Sequence, residues 1–151
     1  MEKFKSVDEL LNFAISKEQE AAEFYTDLSK QVSSSAMSEV FLSFADEERG
    51  HKSKLESIKA GKRGMPAPKK IQDLKVGDYL VDVEATQGMS YQDALILAMK
   101  REKASYRLYN DLAEIAETAD LRNTMLALAQ EEARHKLRFE IEYDEQILEE
   151  N

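Results

Sequence analysis

Residues 45–56 read ADEERGHKSKLE, and two residues within that stretch, Glu48 and His51, decide how the whole chain is read. They stand three apart, with Phe41 and Phe44 before them and Leu55 and Ile58 after. At helical spacing all of these fall on one stripe, so a carboxylate and an imidazole occupy positions that belong to a core. A lone buried carboxylate costs on the order of several kcal/mol. The stripe makes sense only if something compensates these groups.

The same pattern returns elsewhere. A first helix is predicted from Ser6, whose capping box is completed by Glu9, to about Val32, with its seam at Leu11, Ala14, Glu18, Ala21, Tyr25 and Leu28. After a turn at Ser33–Ser35, a second helix runs from about Ala36 to Ala60 and stops at Gly61. A third spans Ser90 to about Glu117, with its seam at Leu95, Ala98, Glu102, Ser105, Tyr109 and Leu112. A fourth covers about Ala119–Leu148, through Met125, Leu128, Glu132, His135 and Phe139. Each apolar seam is interrupted near its middle by Glu, or by Glu and His.

These interruptions keep one offset. Glu18 to Glu102, Glu48 to Glu132 and His51 to His135 are all steps of 84 residues, as are Tyr25 to Tyr109 and Asp27 to Asp111. The chain therefore reads as two copies of one helical hairpin. Residues equidistant from a hairpin turn lie at one height. The midpoint of Glu18 and Glu48 is Ser33, in the first turn, and that of Glu102 and Glu132 is Glu117, at the second. At ~1.5 Å rise per residue each Glu is ~20 Å from its turn, so the four carboxylates can meet in one layer.

Composition narrows what could hold them there. The chain has 151 residues, 42% hydrophobic and 34% charged, which suits one globular domain. Both Pro and four of the five Gly lie between residues 61 and 88, marking a single long connection over 61–89, with one short helical piece expected around Ile71–Val81. No apolar run is long enough to span a bilayer, and the first twenty residues lack a signal-peptide pattern, so a cytoplasmic address is expected. A net charge of −9 argues against nucleic acid as a partner. The absence of cysteine removes disulfides, iron–sulfur clusters and thiolate metal sites.

The seams offer no Lys or Arg level with the carboxylates. Two divalent ions would bring +4 against −4, and neutral imidazoles would complete the coordination without adding charge. Residues i and i+3 share a helix face, so Glu48 with His51, and Glu132 with His135, can each grip one ion. Both histidines of the chain sit in such pairs at matching repeat positions.

The set Glu18, Glu48-Arg49-Gly50-His51, Glu102 and Glu132-Ala133-Arg134-His135 resembles the di-iron carboxylate site of the ferritin-like superfamily, and most closely its rubrerythrin branch. The resemblance covers residues 6–148 and implies an all-α, ferritin-like four-helix bundle with a long crossover between the hairpins. It implies two iron ions bridged by Glu48 and Glu132, with Glu18 and His51 on one and Glu102 and His135 on the other. It also implies that Tyr25 and Tyr109 hydrogen-bond ligand carboxylates across the bundle, although plain core packing explains them equally well. Implied too is reduction of hydrogen peroxide or O2, with electrons from an external donor such as a rubredoxin-like protein.

The chain departs from that pattern in three ways. It has no cysteine-rich electron-feeding module, Ser105 stands where rubrerythrins carry an additional Glu, and Arg49 stands where haem-binding relatives carry Met, so no haem is expected. Other readings are a ferroxidase of a larger hollow assembly, or a manganese or zinc bundle without iron redox chemistry. Hairpins could also swap within a homodimer. Lys59, Lys62, Arg63, Lys69, Lys70 and Lys75 form a basic cluster read as a solvated loop or, more sharply, as a docking patch for an acidic electron donor. Asp27 and Asp111 are expected to face solvent or a turn, and Tyr106 is a weaker candidate for a role near the site.

Overall fold

The computed structural model describes residues 3–86 and 88–150; Met1, Glu2, Gln87 and Asn151 lie outside the described residues. Four long helices dominate: α1 (Val7–Gln31), α2 (Ser35–Gly61), α4 (Tyr91–Ile115) and α5 (Ala119–Glu150). Between α2 and α4 the crossover holds a short helix, α3 (Pro68–Gln72), and a separate 3-10 turn at Val76–Tyr79. The single helical piece expected there is thus two pieces.

Local chemistry sets the ends. Ser6, Ser34 and Ser90 each accept a backbone N–H from three residues on, and Thr118 does the same at the start of α5. Each such cap is worth about 1 kcal/mol. The stop of α2 differs from expectation. Gly61 is the last helical residue, and the left-handed position falls on Lys62, with φ of 54°. Lys62 also pairs with Asp8 at 3.1 Å, which ties the end of α2 to the start of α1.

α1 packs on α2 and α4 on α5, so the two predicted hairpins form. Tyr91, at the start of α4, meets Phe41 near the start of α2. Glu117, after α4, donates its N–H to Gly64, just past the end of α2. α2 and α4 therefore run the same way, and the crossover must climb the full height of the bundle between them. It does so beside α4, where the Tyr79 hydroxyl donates to Asp111 at 2.7 Å and Arg107 meets Asp78 at 3.2 Å. Asp111, expected at solvent or a turn, instead fastens the crossover; Asp27 is exposed as expected.

The core comes in two apolar blocks. One gathers Leu10, Leu11, Leu55, Leu112, Met125 and Leu128 with Phe4 and Tyr79. The other gathers Tyr25, Phe41, Phe44, Leu95 and Phe139. In the second block Phe139 packs on Tyr25, Phe41 and Phe44 with ring centroids 5.3–5.8 Å apart, geometry worth about 0.5–1.5 kcal/mol per pair beyond simple burial. Glu18, Glu48, His51, Glu102, Glu132 and His135 belong to neither block, and all are buried. Among the described residues, no helix is long and apolar enough to cross a membrane.

Candidate metal centre

The six residues converge in two overlapping groups. Glu18, Glu48, His51 and Glu132 bring one ligand atom each to within 4.8 Å of one another, and Glu48, Glu102, Glu132 and His135 do the same. Glu48 and Glu132 are common to both. The cause is the one legible in the repeat: each residue lies on its helix's inward face, at the same distance from its hairpin turn.

Both imidazoles present Nδ1 to the cluster. His51 Nδ1 is 3.3 Å from oxygens of Glu18, Glu48 and Glu132, while His135 Nδ1 lies 3.6–3.7 Å from Glu48, Glu102 and Glu132. None of these contacts has hydrogen-bond geometry. Glu18 Oε2, Glu48 Oε1, Glu102 Oε2, both carboxylate oxygens of Glu132, and the Nδ1 atoms of both histidines are buried without a partner. Orphaned buried polar atoms are rare in folded proteins. Here each of the six residues contributes at least one, and all belong to a single layer.

Other groups hold the outer atoms of the cluster. The Tyr25 hydroxyl donates to Glu102 and the Tyr109 hydroxyl to Glu18, so each tyrosine serves the carboxylate of the other hairpin. Burial, then the charge of the neighbouring carboxylates, pushes both phenols well above their usual range, so they remain donors. His51 Nε2 meets Glu131, and His135 Nε2 meets Glu47 at 3.3 Å. Glu47 and Glu131 were missed in the sequence. Their signal was present, since they too are 84 residues apart and each precedes a bridging candidate. Tyr106 is exposed and takes no part.

The two halves are not identical. Arg134 pairs with Glu47 and lies over the Phe44 ring, which stacks on His135 at 3.9 Å. The repeat equivalents of Arg134 and Phe44 are Gly50 and Leu128, so the His51 half has neither the guanidinium nor the ring.

The electrostatics point the same way. Burial, then the charges of the other carboxylates, raises Glu48 and Glu132 well above the usual carboxylate range. Burial also raises Glu18, against the pull of His51 and Tyr109. Burial alone would lower His51, but close contact with Glu132 and Glu18 outweighs it and holds the imidazole up to about 11. Without added positive charge the layer fills with protons. Four carboxylates and two imidazoles, all oxygen and nitrogen donors with free inward atoms, fit divalent ions well.

The basic cluster is partly neutralised: Lys62 pairs with Asp8, and Lys70 with Glu117 at 3.3 Å.

Comparison with known proteins agrees with this architecture. A solved structure from Thermotoga maritima, described as a ferritin-like diiron-carboxylate protein, superposes with a TM-score of 0.78 at 21% identity, covering 97% of this chain and 99% of that one. A hypothetical protein from Pyrococcus furiosus gives a TM-score of 0.69 at 25% identity, covering 92% of this chain and 89% of that one. No curated protein matches the sequence. The sequence model of the rubrerythrin family matches residues 9–143. With nearly the whole bundle inside that match, the chain belongs to the rubrerythrin family.

Proposed function

We propose that the buried layer holds two iron ions and that the protein reduces hydrogen peroxide or O2 with electrons from an external donor. The observation that carries this reading is the set of orphaned inward atoms, one or more on each of the six residues. In this reading Glu18 and His51 hold one ion, Glu102 and His135 the other, and Glu48 and Glu132 bridge them. Membership of the rubrerythrin family and the diiron description of the Thermotoga protein support iron as the metal. Two ferrous ions, when bound, supply the two electrons that split an oxygen–oxygen bond.

The chain's own residues do the rest. Glu131 and Glu47 hold the imidazoles by Nε2 and keep Nδ1 facing inward. Tyr25 and Tyr109 fix the orientation of Glu102 and Glu18. The two apolar blocks exclude water above and below. The 151 residues hold no cysteine, so the donor's redox group lies outside them.

The test is stopped-flow absorbance of anaerobically Fe(II)-loaded protein, mixed with peroxide and separately with air-saturated buffer. The expected result is two irons per chain and a near-ultraviolet rise that is faster with peroxide. A faster rise with O2 would favour an oxidase or ferroxidase. No rise with either, at full iron loading, would sink the redox reading and leave a bundle for manganese or zinc.

A further inference from the structure

Between α1 and α4 a cavity of about 120 Å³ reaches from the surface to Glu48 and Glu102. Both floor residues carry an orphaned oxygen, Glu48 Oε1 and Glu102 Oε2. The cavity therefore ends on unsatisfied atoms of the centre.

Its walls follow from the repeat. Ala21 and Ser105 line it, one from each hairpin, and they are repeat equivalents standing one turn beyond Glu18 and Glu102. One turn further along the same faces stand Tyr25 and Tyr109, which fill the bundle. Small residues at both equivalent positions leave a gap where the larger ones would close it. The roof is the crossover, which contributes Tyr79, Val81 and Val83. Tyr79 is fixed by its bond to Asp111 and by stacking on Phe4 with centroids 6.3 Å apart.

Volume then selects the guest. A water molecule takes roughly 30 Å³ of the liquid, and a cavity that accepts benzene needs about 150 Å³. The space of about 120 Å³ takes a molecule of two or three heavy atoms with room to turn, but no aromatic ring. From this we infer that the cavity is the port by which oxidant reaches the centre, and that its roof restricts the centre to hydrogen peroxide and O2, excluding bulky organic hydroperoxides. The inference rests on the redox reading above. In the reaction it filters, the oxygen–oxygen bond of ROOH breaks, two ferrous ions each give one electron, and two protons complete ROH and water; with R = H the products are two waters.

The experiment has two arms. In the first, Fe(II)-loaded protein is oxidised by hydrogen peroxide and by cumene hydroperoxide, for the native chain and for a Val81→Ala/Val83→Ala double variant, whose positions are half-buried and exposed. The native chain should prefer hydrogen peroxide by at least ~100-fold, and the double variant should lower that preference by ~10-fold or more. In the second, the protein is loaded with Co(II) and titrated with azide, read by the visible cobalt bands. Azide should perturb the native spectrum, and Ser105→Leu should abolish that response while still binding two cobalt ions per chain.

Equal rates for the two hydroperoxides in the native chain would overturn the filter. An undiminished azide response in cobalt-loaded Ser105→Leu would overturn the port. If iron binds but neither oxidant reacts, the redox reading and its filter fall, while the azide arm still decides whether this cavity is the way in. If Ser105→Leu fails to bind cobalt, Ala21→Leu probes the same gap from the other wall.

Discussion

Phe44 stacks face to face on His135 at 3.9 Å, and the position 84 residues after Phe44 holds Leu128, so only one of the two histidines has an aromatic backstop. Arg134, lying over the same ring and paired with Glu47, completes a clamp that the other half lacks. A two-fold repeat has thus been made asymmetric next to the centre. Phe44→Leu should weaken binding of the second metal equivalent by ~10-fold, as expected when support behind a ligand is lost. It should also destabilise the fold by about 1–3 kcal/mol. Stepwise Co(II) calorimetry and thermal melts would check this, and two unchanged binding steps would show that the clamp is irrelevant to the metal.

The carboxylates behind the histidines should matter in a paired way. Glu131→Ala and Glu47→Ala each remove the partner of an imidazole Nε2. Each should reduce metal affinity by about 10–100-fold, with Gln variants closer to native because an amide oxygen still accepts from Nε2–H. Glu47→Ala also releases Arg134 and should have the larger effect. Competition with a chelator of known affinity would rank the four variants.

Metal-free protein should lose stability as pH rises. Glu48 and Glu132 keep their protons to higher pH when folded, where burial is the first cause, than at their ordinary value of 4.5. Above 4.5 the folded state therefore holds more protons than the unfolded one. The stability this gives is complete below 4.5 and drains as pH climbs. His51, held up to about 11 against an ordinary 6.5, acts in the same direction over a higher window: its contribution is complete below 6.5 and lost towards 11. The melting temperature of the stripped chain should fall steadily from about pH 5 to about pH 8, and added metal should raise it more at the upper end. A flat profile would mean that the cluster is not buried together.

Tyr25 and Tyr109 should be silent in an alkaline titration. Burial first, and the neighbouring carboxylates next, hold both phenols well above their ordinary value of 10. Their tyrosinate absorbance near 295 nm should appear only as the fold opens, as a step that coincides with loss of circular dichroism. Tyr25→Phe leaves Glu102 Oε1 without its donor and should cost about 1–3 kcal/mol. If that variant melts like the native chain, the hydroxyl has no structural part.

The seams, the hairpin turns and the 84-residue repeat are properties of the chain read along one dimension. They gave the four long helices to within a residue or two and put Glu18, Glu48, His51, Glu102, Glu132 and His135 in one layer, because helix period fixes angle and helix rise fixes height. What the sequence left open was of another kind. That each tyrosine serves the opposite hairpin, that Glu47 and Glu131 reach across to the histidines, and that Asp111 fastens Tyr79 all depend on how two hairpins face each other.

The sequence by itself determined which residues are buried and at what level, since burial follows from periodic placement of apolar side chains. Tertiary structure alone decided which polar atom meets which, and laid the crossover over α1 and α4 as the roof of a cavity ending on Glu48 and Glu102. The physical reason is reach. Helix geometry reports where a side chain starts, whereas its partner is set by packing between faces that are distant in sequence and a few ångströms apart in space.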